Sequence, residues 1–400
     1  MRDRALGETG MVTKRFPTHQ SLETFGRYLC NFFEWCALRG RSWTEVEYKE
    51  DLVEGYQKQM LSGAWSATTN ELSKRTVNNR VDEACRFLQW AANNDSRKPF
   101  RVLSYLQKVK VDSAHSSHGH KSKDIKSRVG KVRPDPVKLS MPTDEQISKW
   151  LNSVRIEKGP TKELMCELIL RTGIRREECV QWRTWTLPKE RSDWKVQGQY
   201  VSVIIEYGAK GAKTVDKFGE EKGPSRVIMV PLDLAGKLHH YREKLRADQR
   251  DRFVNAAKNT QEKKKRFKFN PHQLFLSDHT CEPVSAASLY KTWTNVSGKF
   301  EDWSPHLGRH YWACQTLLAT LKQEALILKA GGHGMTSNCV YQLSIDVILL
   351  KIQPQLGHIS KETTLGYVKW VGRALGFDLE SDDWWLNKLE GENNPEAGIA

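Results

Sequence analysis

The chain has 400 residues, a formal net charge of +15 and a pI of about 9.3, with 38% hydrophobic and 10% aromatic residues. A single hydrophobic core stops growing at about 250 to 300 residues, so this length predicts two domains. The ordinary aromatic content excludes a disordered basic tail, and the excess of cations favours a polyanionic partner. The sequence shows neither an apolar leader nor a run of about 18 apolar residues, so we expect a cytoplasmic protein without a membrane anchor.

The eight cysteines are scattered along the chain, and no two of them form a CxxC pair. Most lie among apolar residues, as small buried hydrophobes do in reducing compartments. Neither a disulfide framework nor a zinc site is predicted.

Residues 15–112 are predicted to form a small all-α domain. Apolar residues at spacings of three and four predict a helix from Ser21 that ends near Gly40 and a second helix that opens at Thr76. A third helix is expected between them, over "DLVEGYQKQML". No strand pattern is visible before about residue 105.

Residues 113–142 are rich in Ser, Gly, Pro and Lys and lack apolar periodicity, which indicates a basic interdomain linker. It is either a solvated tether or a strap along a phosphate backbone. The three histidines of "SAHSSHGH" are interpreted as linker residues, and no metal site is predicted. The candidate contacts to such a phosphate backbone are Lys121, Lys123, Lys126, Arg128, Lys131 and Arg133.

Residues 143–376 are predicted to form the second domain. Thr143 is expected to open a helix, and "TKELMCELILRTGIRREECVQW" predicts another helix that is interrupted at Thr172 and Gly173. The β-branched runs "YVSVIIEYGAKGAKT" and "SRVIMVPL" predict an antiparallel hairpin, and "QEKKKRFKFN" an exposed loop. The expected fold class is therefore mainly α with a small antiparallel β-sheet. Residues 377–400 are predicted to form an acidic C-terminal tail.

Four separated stretches of the second domain carry polar groups that chemistry could use. Each is weak evidence alone, but together they supply two arginines, a lysine, two histidines and a tyrosine. Such a set suits attack on a phosphodiester, because guanidinium groups bind nonbridging oxygens and a held phosphate can be attacked in line by tyrosine. The candidates are Arg175 with Glu178, Lys210 or Lys213, His306 and Arg309 with His310, and His358 with Tyr367.

In this order, the four stretches resemble the motifs of the tyrosine recombinase family, also called phage integrases. "TGIRREE" is similar to the first arginine motif, "AKGAK" with "RVIMVPL" to the lysine hairpin, and "HLGRH" to the HxxRH motif. "LGHISKETTLGY" is similar to the histidine and tyrosine motif, with the family's usual nine-residue interval. The helical domain is similar in character to the family's core-binding domain, so the resemblance implies a two-domain DNA clamp.

The resemblance implies that Tyr367 attacks the scissile phosphate to give a 3′-phosphotyrosyl link and a free 5′ hydroxyl. Neither ATP nor a metal is then needed, and no cofactor is expected. The other implied roles are phosphate clamping for Arg175 and Arg309, protonation of the leaving oxygen for Lys210, acid–base catalysis at the tyrosine for His306, a phosphate hydrogen bond for His358, and support for Glu178 and His310.

The implied partner is double-stranded DNA with specific recombination sites, bound by a homotetramer during integration or excision of a mobile element. Accessory DNA-bending or directionality proteins are further expected partners. The segment "LGFDLESDDWWLNKL" is interpreted either as a docking segment for a neighbouring protomer or as a helix that packs in cis.

The sequence departs from the family in two places. A polar insertion from about Thr214 to Pro224 leaves open whether Lys210 or Lys213 is the acid, and Lys210 is favoured because it precedes "GAK". The 49 residues from Arg309 to His358 indicate a second insertion. Two other functions remain open: a type IB topoisomerase-like relaxing enzyme and a DNA-binding regulator that does not cut DNA.

Overall fold

The computed structural model describes residues 17, 19–66, 69–111, 121–133, 139–211, 213–278, 280–357 and 361–377. They fall into two compact units, one within residues 1–136 and the other within residues 137–400. The boundary lies inside the predicted linker. None of the helices in the described ranges is both long enough and apolar enough to span a bilayer.

The first unit is a helical bundle with a β-ribbon. Its core joins residues such as Phe32, Leu52 and Val81 from three helical segments. Ser73 caps the last helix through a hydrogen bond from the Thr76 amide, so this helix begins earlier than predicted. The elements are α1 (His19–Leu38), a π-helical segment (Tyr48–Gln57) that continues into α2 (Lys58–Leu61), α3 (Lys74–Asn93), β1 (Ser104–Val111) and β2 (Lys121–Arg128).

The structure differs from the predicted linker at residues 121–128, which form strand β2. Strand β2 pairs with β1 in antiparallel register, with Ser104 opposite Arg128. Arg128 is buried and donates hydrogen bonds to Asp82 at 2.6 Å and to Asn78 at 3.0 Å. The interpretation of Arg128 as a DNA contact does not fit this burial, because its guanidinium joins the ribbon to α3 inside the first unit.

The other linker cations differ from Arg128. Lys131 lies 3.5 Å from Asp82 and remains half-exposed, while Lys126 and Arg133 are exposed. The side chains of Lys121 and Lys123 and all of His115, His118 and His120 lie outside the described part of the chain.

The second unit is mainly helical around a small antiparallel sheet, as predicted. Its strands are β3 (Lys195–Gln197), β4 (Tyr200–Ile205), β5 (Thr214–Val215), β6 (Glu221–Lys222) and β7 (Arg226–Pro231). The larger helices around the sheet are α4 (Asp144–Lys158), α5 (Pro160–Thr172), α7 (Leu232–His240), α8 (Arg246–Asn255), α10 (Ala286–Thr294) and α11 (Pro305–Ala330). The remaining helices are α6 (Arg176–Val180), α9 (Thr260–Lys268), α12 (Ser337–Val347), α13 (Gln353–Leu356) and α14 (Lys361–Ala374), with a 3-10 turn at Arg191–Asp193 and π-helical segments at Tyr241–Leu245 and Ile348–Ile352.

The local sequence accounts for most of these elements. Thr143 and Gln146 form the capping box that opens α4, as expected from the motif. The predicted hairpin is present, because β4 pairs with β7 in antiparallel register. The strand order in the larger sheet is β3-β4-β7. The lysine-rich stretch is helix α9 rather than a loop, because Asn259 caps it and Glu262 pairs with Arg266.

Two hydrophobic cores meet along helix α11. One core packs α4, α5, α10 and the sheet, and includes the tryptophan cluster Trp150, Trp293 and Trp303. The second core packs the rest of α11 against the helices that follow it, and includes Leu317 and Tyr367. The long α11 and the helices α12 and α13 thus occupy the predicted insertion, and the first turns of α11 lie where both cores end.

Candidate active site

Arg175 is positioned by the termination of helix α5 at Gly173. Gly173 ends α5 with φ +67°, and a Cβ atom at this residue would lie 2.6 Å from both Leu356 and Trp312. The chain then starts α6, where the Glu178 carboxylate accepts hydrogen bonds from the Arg175 backbone N–H at 2.7 Å and from its Nη1 at 3.0 Å. The predicted pairing of Arg175 with Glu178 is present in the structure.

Glu178 also binds a residue that the sequence analysis missed. Arg226, the first residue of β7, donates from Nη1 and Nη2 to the two Glu178 carboxylate oxygens at 2.5 and 2.6 Å. Burial raises the pKa of Glu178, but the hydrogen bonds and charges of Arg226 and Arg175 outweigh it and leave the pKa below its usual value. The carboxylate is therefore ionised and holds both guanidinium groups.

The second arginine is held by backbone carbonyls. Arg309 is 6% exposed and donates to Gly173 O at 2.6 Å and to Leu356 O. Burial, followed by the charge of Arg175, lowers the pKa of Arg309 to about 9, so it remains cationic at neutral pH. Arg175 and Arg226 thus bind the Glu178 carboxylate, and Arg309 interacts with it electrostatically, so in this part of the described structure positive charge is in excess.

A glutamine that the sequence analysis also missed fastens these segments together. Gln355 donates from Nε2 to Thr172 O and Met229 O, both at 3.0 Å, and accepts from the Met229 N–H at 2.7 Å. The Gln355 carbonyl in turn accepts from Arg226 Nε at 3.0 Å. One buried amide therefore sets the spacing between the end of α5, strand β7 and the segment before residue 358.

A hydrogen-bonded chain runs from the tyrosine to the surface. The Tyr367 hydroxyl lies 2.8 Å from His310 Nδ1, and His310 Nε2 lies 3.1 Å from His306 Nε2. Burial raises the pKa of Tyr367 above its usual range, and burial with the charge of His306 lowers the pKa of His310 to about 4. A neutral His310 can accept the phenol proton at Nδ1 and donate from Nε2 to His306, which is partly exposed to solvent.

The two candidate lysines of the hairpin differ in their surroundings. Lys213 donates to the Ala209 carbonyl at 2.8 Å, within its own loop. Lys210 is exposed, and its charge acts on His306: desolvation, then Arg309, Lys210 and Arg175, lower the pKa of that histidine. The geometry therefore favours Lys210 as the lysine of the site.

The structure brings together most of the residues that the sequence predicted. Arg175, Arg309, Lys210, His306 and Tyr367 share direct contacts or electrostatic interactions with common neighbours, and Glu178 and His310 lie between them. His358 lies outside the described residues, although the preceding Gly357 has φ +77° and passes beside Arg175. Among the described residues, no three His, Cys, Asp or Glu side chains are grouped as metal ligands.

Comparison with protein-family models and with curated proteins gives no match. The structure is similar to that of XerH site-specific recombinase bound to palindromic difH substrate, at 18% identity and a TM-score of 0.47, covering 92% of this chain and 79% of that chain. It is also similar to a lambda integrase dimer bound to a core site, at 14% identity and a TM-score of 0.45, covering 90% and 92% of the two chains. The Tn1549 transposon integrase bound to circular intermediate DNA gives 14% identity, a TM-score of 0.46 and coverage of 94% and 95%.

Proposed function

We propose that this protein is a site-specific DNA recombinase or integrase that cuts and rejoins DNA through a tyrosine–phosphate intermediate. The observation that carries the proposal is a group of three arginines, two of them bound to one carboxylate, near a tyrosine that is hydrogen-bonded to a histidine. An excess of fixed guanidinium groups suits a phosphodiester whose charge increases in the transition state.

The proposed nucleophile is Tyr367. Its phenol proton passes to His310 Nδ1 while His310 releases its Nε2 proton to His306, which exchanges with solvent. The tyrosine oxygen forms a bond to phosphorus as the bond from phosphorus to the 5′ oxygen breaks. In the structure His310, rather than His306, contacts the tyrosine, so we assign His310 the direct proton-accepting role and His306 the outer one.

The remaining residues act on charge and on the leaving group. Arg175 and Arg309 bind the nonbridging oxygens, and Lys210 gives a proton to the 5′ oxygen as it leaves. Because the energy of the broken bond is kept in the phosphotyrosyl link, a 5′ hydroxyl can attack that link and reverse the step. The proposed reaction therefore needs neither ATP nor a metal ion. His358 is proposed to form a hydrogen bond to a phosphate oxygen.

The proposed partner is double-stranded DNA with a specific recombination site, bound in the cytoplasm by four copies of the chain. Exposed cations such as Lys126 and Arg133 would contribute phosphate contacts, together with Lys131, Lys121 and Lys123. The proposed biological role is integration or excision of a mobile element. We further propose the first unit, including its β-ribbon up to Arg128, as the core-binding domain and residues 143–376 as the catalytic domain.

A trapping assay tests the proposal. The protein is incubated without metal with labelled DNA from the flanks of its own gene, nicked so that cleavage releases a short 5′ fragment and prevents religation. We expect a covalent adduct with the wild type, and a loss of at least about 10³-fold with Tyr367→Phe, because no other group replaces the nucleophile.

Tyr200→Phe is the matched control, since Tyr200 is an exposed tyrosine of strand β4 in the same unit. Equal adduct with Tyr367→Phe would show that the tyrosine assignment is wrong. DNA binding without an adduct from either protein would favour a regulator that does not cut DNA. Relaxation of supercoiled plasmid without recombinant products would favour the topoisomerase-like activity.

A further inference from the structure

The connection between β4 and β7 carries Lys210 and includes the small hairpin β5–β6. We propose that the tip of this hairpin, through Phe218 and Glu220, docks on the body of the second unit and thereby positions Lys210. We call these two side chains and their partners the hairpin dock. This inference rests on the proposed function, because it concerns delivery of a proton to the leaving oxygen.

The ionic part of the hairpin dock is centred on Glu220. Its carboxylate contacts Arg183 Nη2, and its Oε1 lies 3.1 Å from His272 Nδ1. Arg183 is 3% exposed, and its Nε and Nη1 have no hydrogen-bond partner in the described structure. A buried guanidinium needs an opposite charge, so Glu220 from the hairpin supplies what this part of the body requires.

The aromatic part of the hairpin dock lies beside the ion pair. The Phe218 ring centroid is 5.8 Å from that of Trp185 and 4.8 Å from that of His272. Asp216 stiffens the tip by accepting hydrogen bonds from the Phe218 and Glu220 amides at 2.8 and 2.9 Å. The hairpin tip is therefore a preformed turn that presents one ring and one carboxylate to the body.

The dock is linked to the segment that precedes Lys210. The Tyr207 hydroxyl donates to Asp216 at 2.7 Å, and the Tyr207 ring lies 4.2 Å from the guanidinium carbon of Arg183. The next residue, Gly208, has φ +73°, and a Cβ atom there would lie 2.3 Å from Glu177 O. Only glycine permits this approach of the loop to helix α6.

The return segment closes the loop. Gly223 donates to Glu206 O at 2.8 Å, and a Cβ atom at Gly223 would lie 2.6 Å from Ala209 O. Lys210 thus extends from a short segment that is fixed by Gly208 on one side and by the docked hairpin on the other. Loss of the dock would let the ammonium group sample positions away from the leaving oxygen, and small displacements in a reacting group reduce rates strongly.

Substrates that differ only in the leaving atom test this positioning role. In one duplex the scissile phosphate is bonded to a 5′ oxygen, and in the other to a 5′ sulfur. A thiol has a pKa of about 8.5 and leaves as the thiolate without a proton, so the sulfur substrate does not need the acid. Single-turnover cleavage rates are measured for the wild type, Glu220→Ala, Phe218→Ala, Lys210→Met and Lys213→Met.

We expect Lys210→Met to slow cleavage of the oxygen substrate by about 10²-fold or more and Lys213→Met by less than about 3-fold. Glu220→Ala and Phe218→Ala should each slow it by about 10-fold, while every variant cleaves the sulfur substrate within about 3-fold of the wild type. Phe218→Ala keeps the Arg183–Glu220 pair, so it remains informative if Glu220→Ala unfolds. Glu262→Ala is the control, because it removes a glutamate paired with an arginine on α9.

Three results would overturn the inference. Hairpin-dock variants that cleave the oxygen substrate like the wild type would show that Lys210 does not depend on the dock. Equal slowing with oxygen and sulfur would show a general structural defect instead of a misplaced acid. Cleavage of neither substrate by the wild type would contradict the proposed function itself and is thereby distinguished from failure of the dock.

Discussion

The candidate site has two contrasting halves. The arginine half consists of Arg175, Arg226 and Arg309 with Glu178, and the proton-transfer half consists of His306, His310, Tyr367 and Lys210. The arginines are fixed by a buried carboxylate and by backbone carbonyls from distant segments. The proton-transfer groups are bonded to one another or extend from a loop. Charge recognition is thus built into the folded chain before any ligand binds, whereas the protonation of the second half can change during a reaction.

The largest effect is expected when a fixed charge is kept but its geometry is lost. Arg309→Lys should reduce single-turnover adduct formation by about 10³-fold, because lysine has its donors on one nitrogen and cannot reproduce the separate contacts of Nη1 and Nη2 while it binds a phosphate oxygen. Arg171→Lys is the control, since Arg171 is a partly exposed arginine that pairs with Glu167 and Asp233 outside the candidate site. A rate within about 10-fold of the wild type for Arg309→Lys would mean that charge alone is sufficient.

In the proton-transfer half, the titration of His310 should make the free energy of unfolding depend on pH. The pKa of His310 is lowered from 6.5 to about 4 in the folded protein, so the unfolded chain binds the extra proton first as pH falls. The stability that His310 contributes is complete above about pH 6.5 and decreases as pH falls towards 4, by at most about 3 kcal/mol.

Urea unfolding at pH 7 and pH 5 measures this contribution. The free energy of unfolding should fall more between these pH values for the wild type than for His310→Gln, by up to about 2 kcal/mol. His333→Gln is the control, because the ring of His333 is exposed. Parallel decreases in the wild type and His310→Gln would contradict a neutral His310 in the folded state.

The smallest effect is expected for DNA binding by the first unit. In this unit Arg128 has internal partners, whereas Lys126 faces solvent. Lys126→Gln should reduce the slope of log affinity against log salt by about 1, because one phosphate contact is lost. Arg128→Gln should leave that slope unchanged and destabilise the unit by about 1 to 3 kcal/mol, because Asp82 and Asn78 lose their partner. Equal changes in slope would show that burial does not separate the two residues.

The sequence predicts those parts of the site whose partners are close along the chain. Arg175 and Glu178 are three residues apart, and His306 and Arg309 are also one turn apart, so periodicity alone brings each pair together. The β-branched runs likewise predict the hairpin. In each case local geometry and tertiary structure agree.

The sequence does not reveal residues whose partners are distant. Arg226 binds a carboxylate 48 positions away, and Gln355 binds strand β7 across 126 positions. Arg128 was assigned to a linker because its own segment is polar, while its partners lie on helix α3. One sequence feature could have indicated Arg226: it is a single cation at the start of an otherwise apolar strand. A charged side chain that enters a hydrophobic core needs an oppositely charged or hydrogen-bonding partner.

The burial of Tyr367 makes the proposed nucleophile inaccessible in the free protein. Tyr367 is 1% exposed within the second core of the second unit, so in the proposed reaction its hydroxyl has to become more exposed before it meets an external phosphate. If this costs about 2 kcal/mol, only about one molecule in thirty would expose the nucleophile at any moment. Unrelated nucleic acid would then rarely be attacked, because the tyrosine is seldom exposed. The binding energy of a specific site would supply the free energy that exposes it.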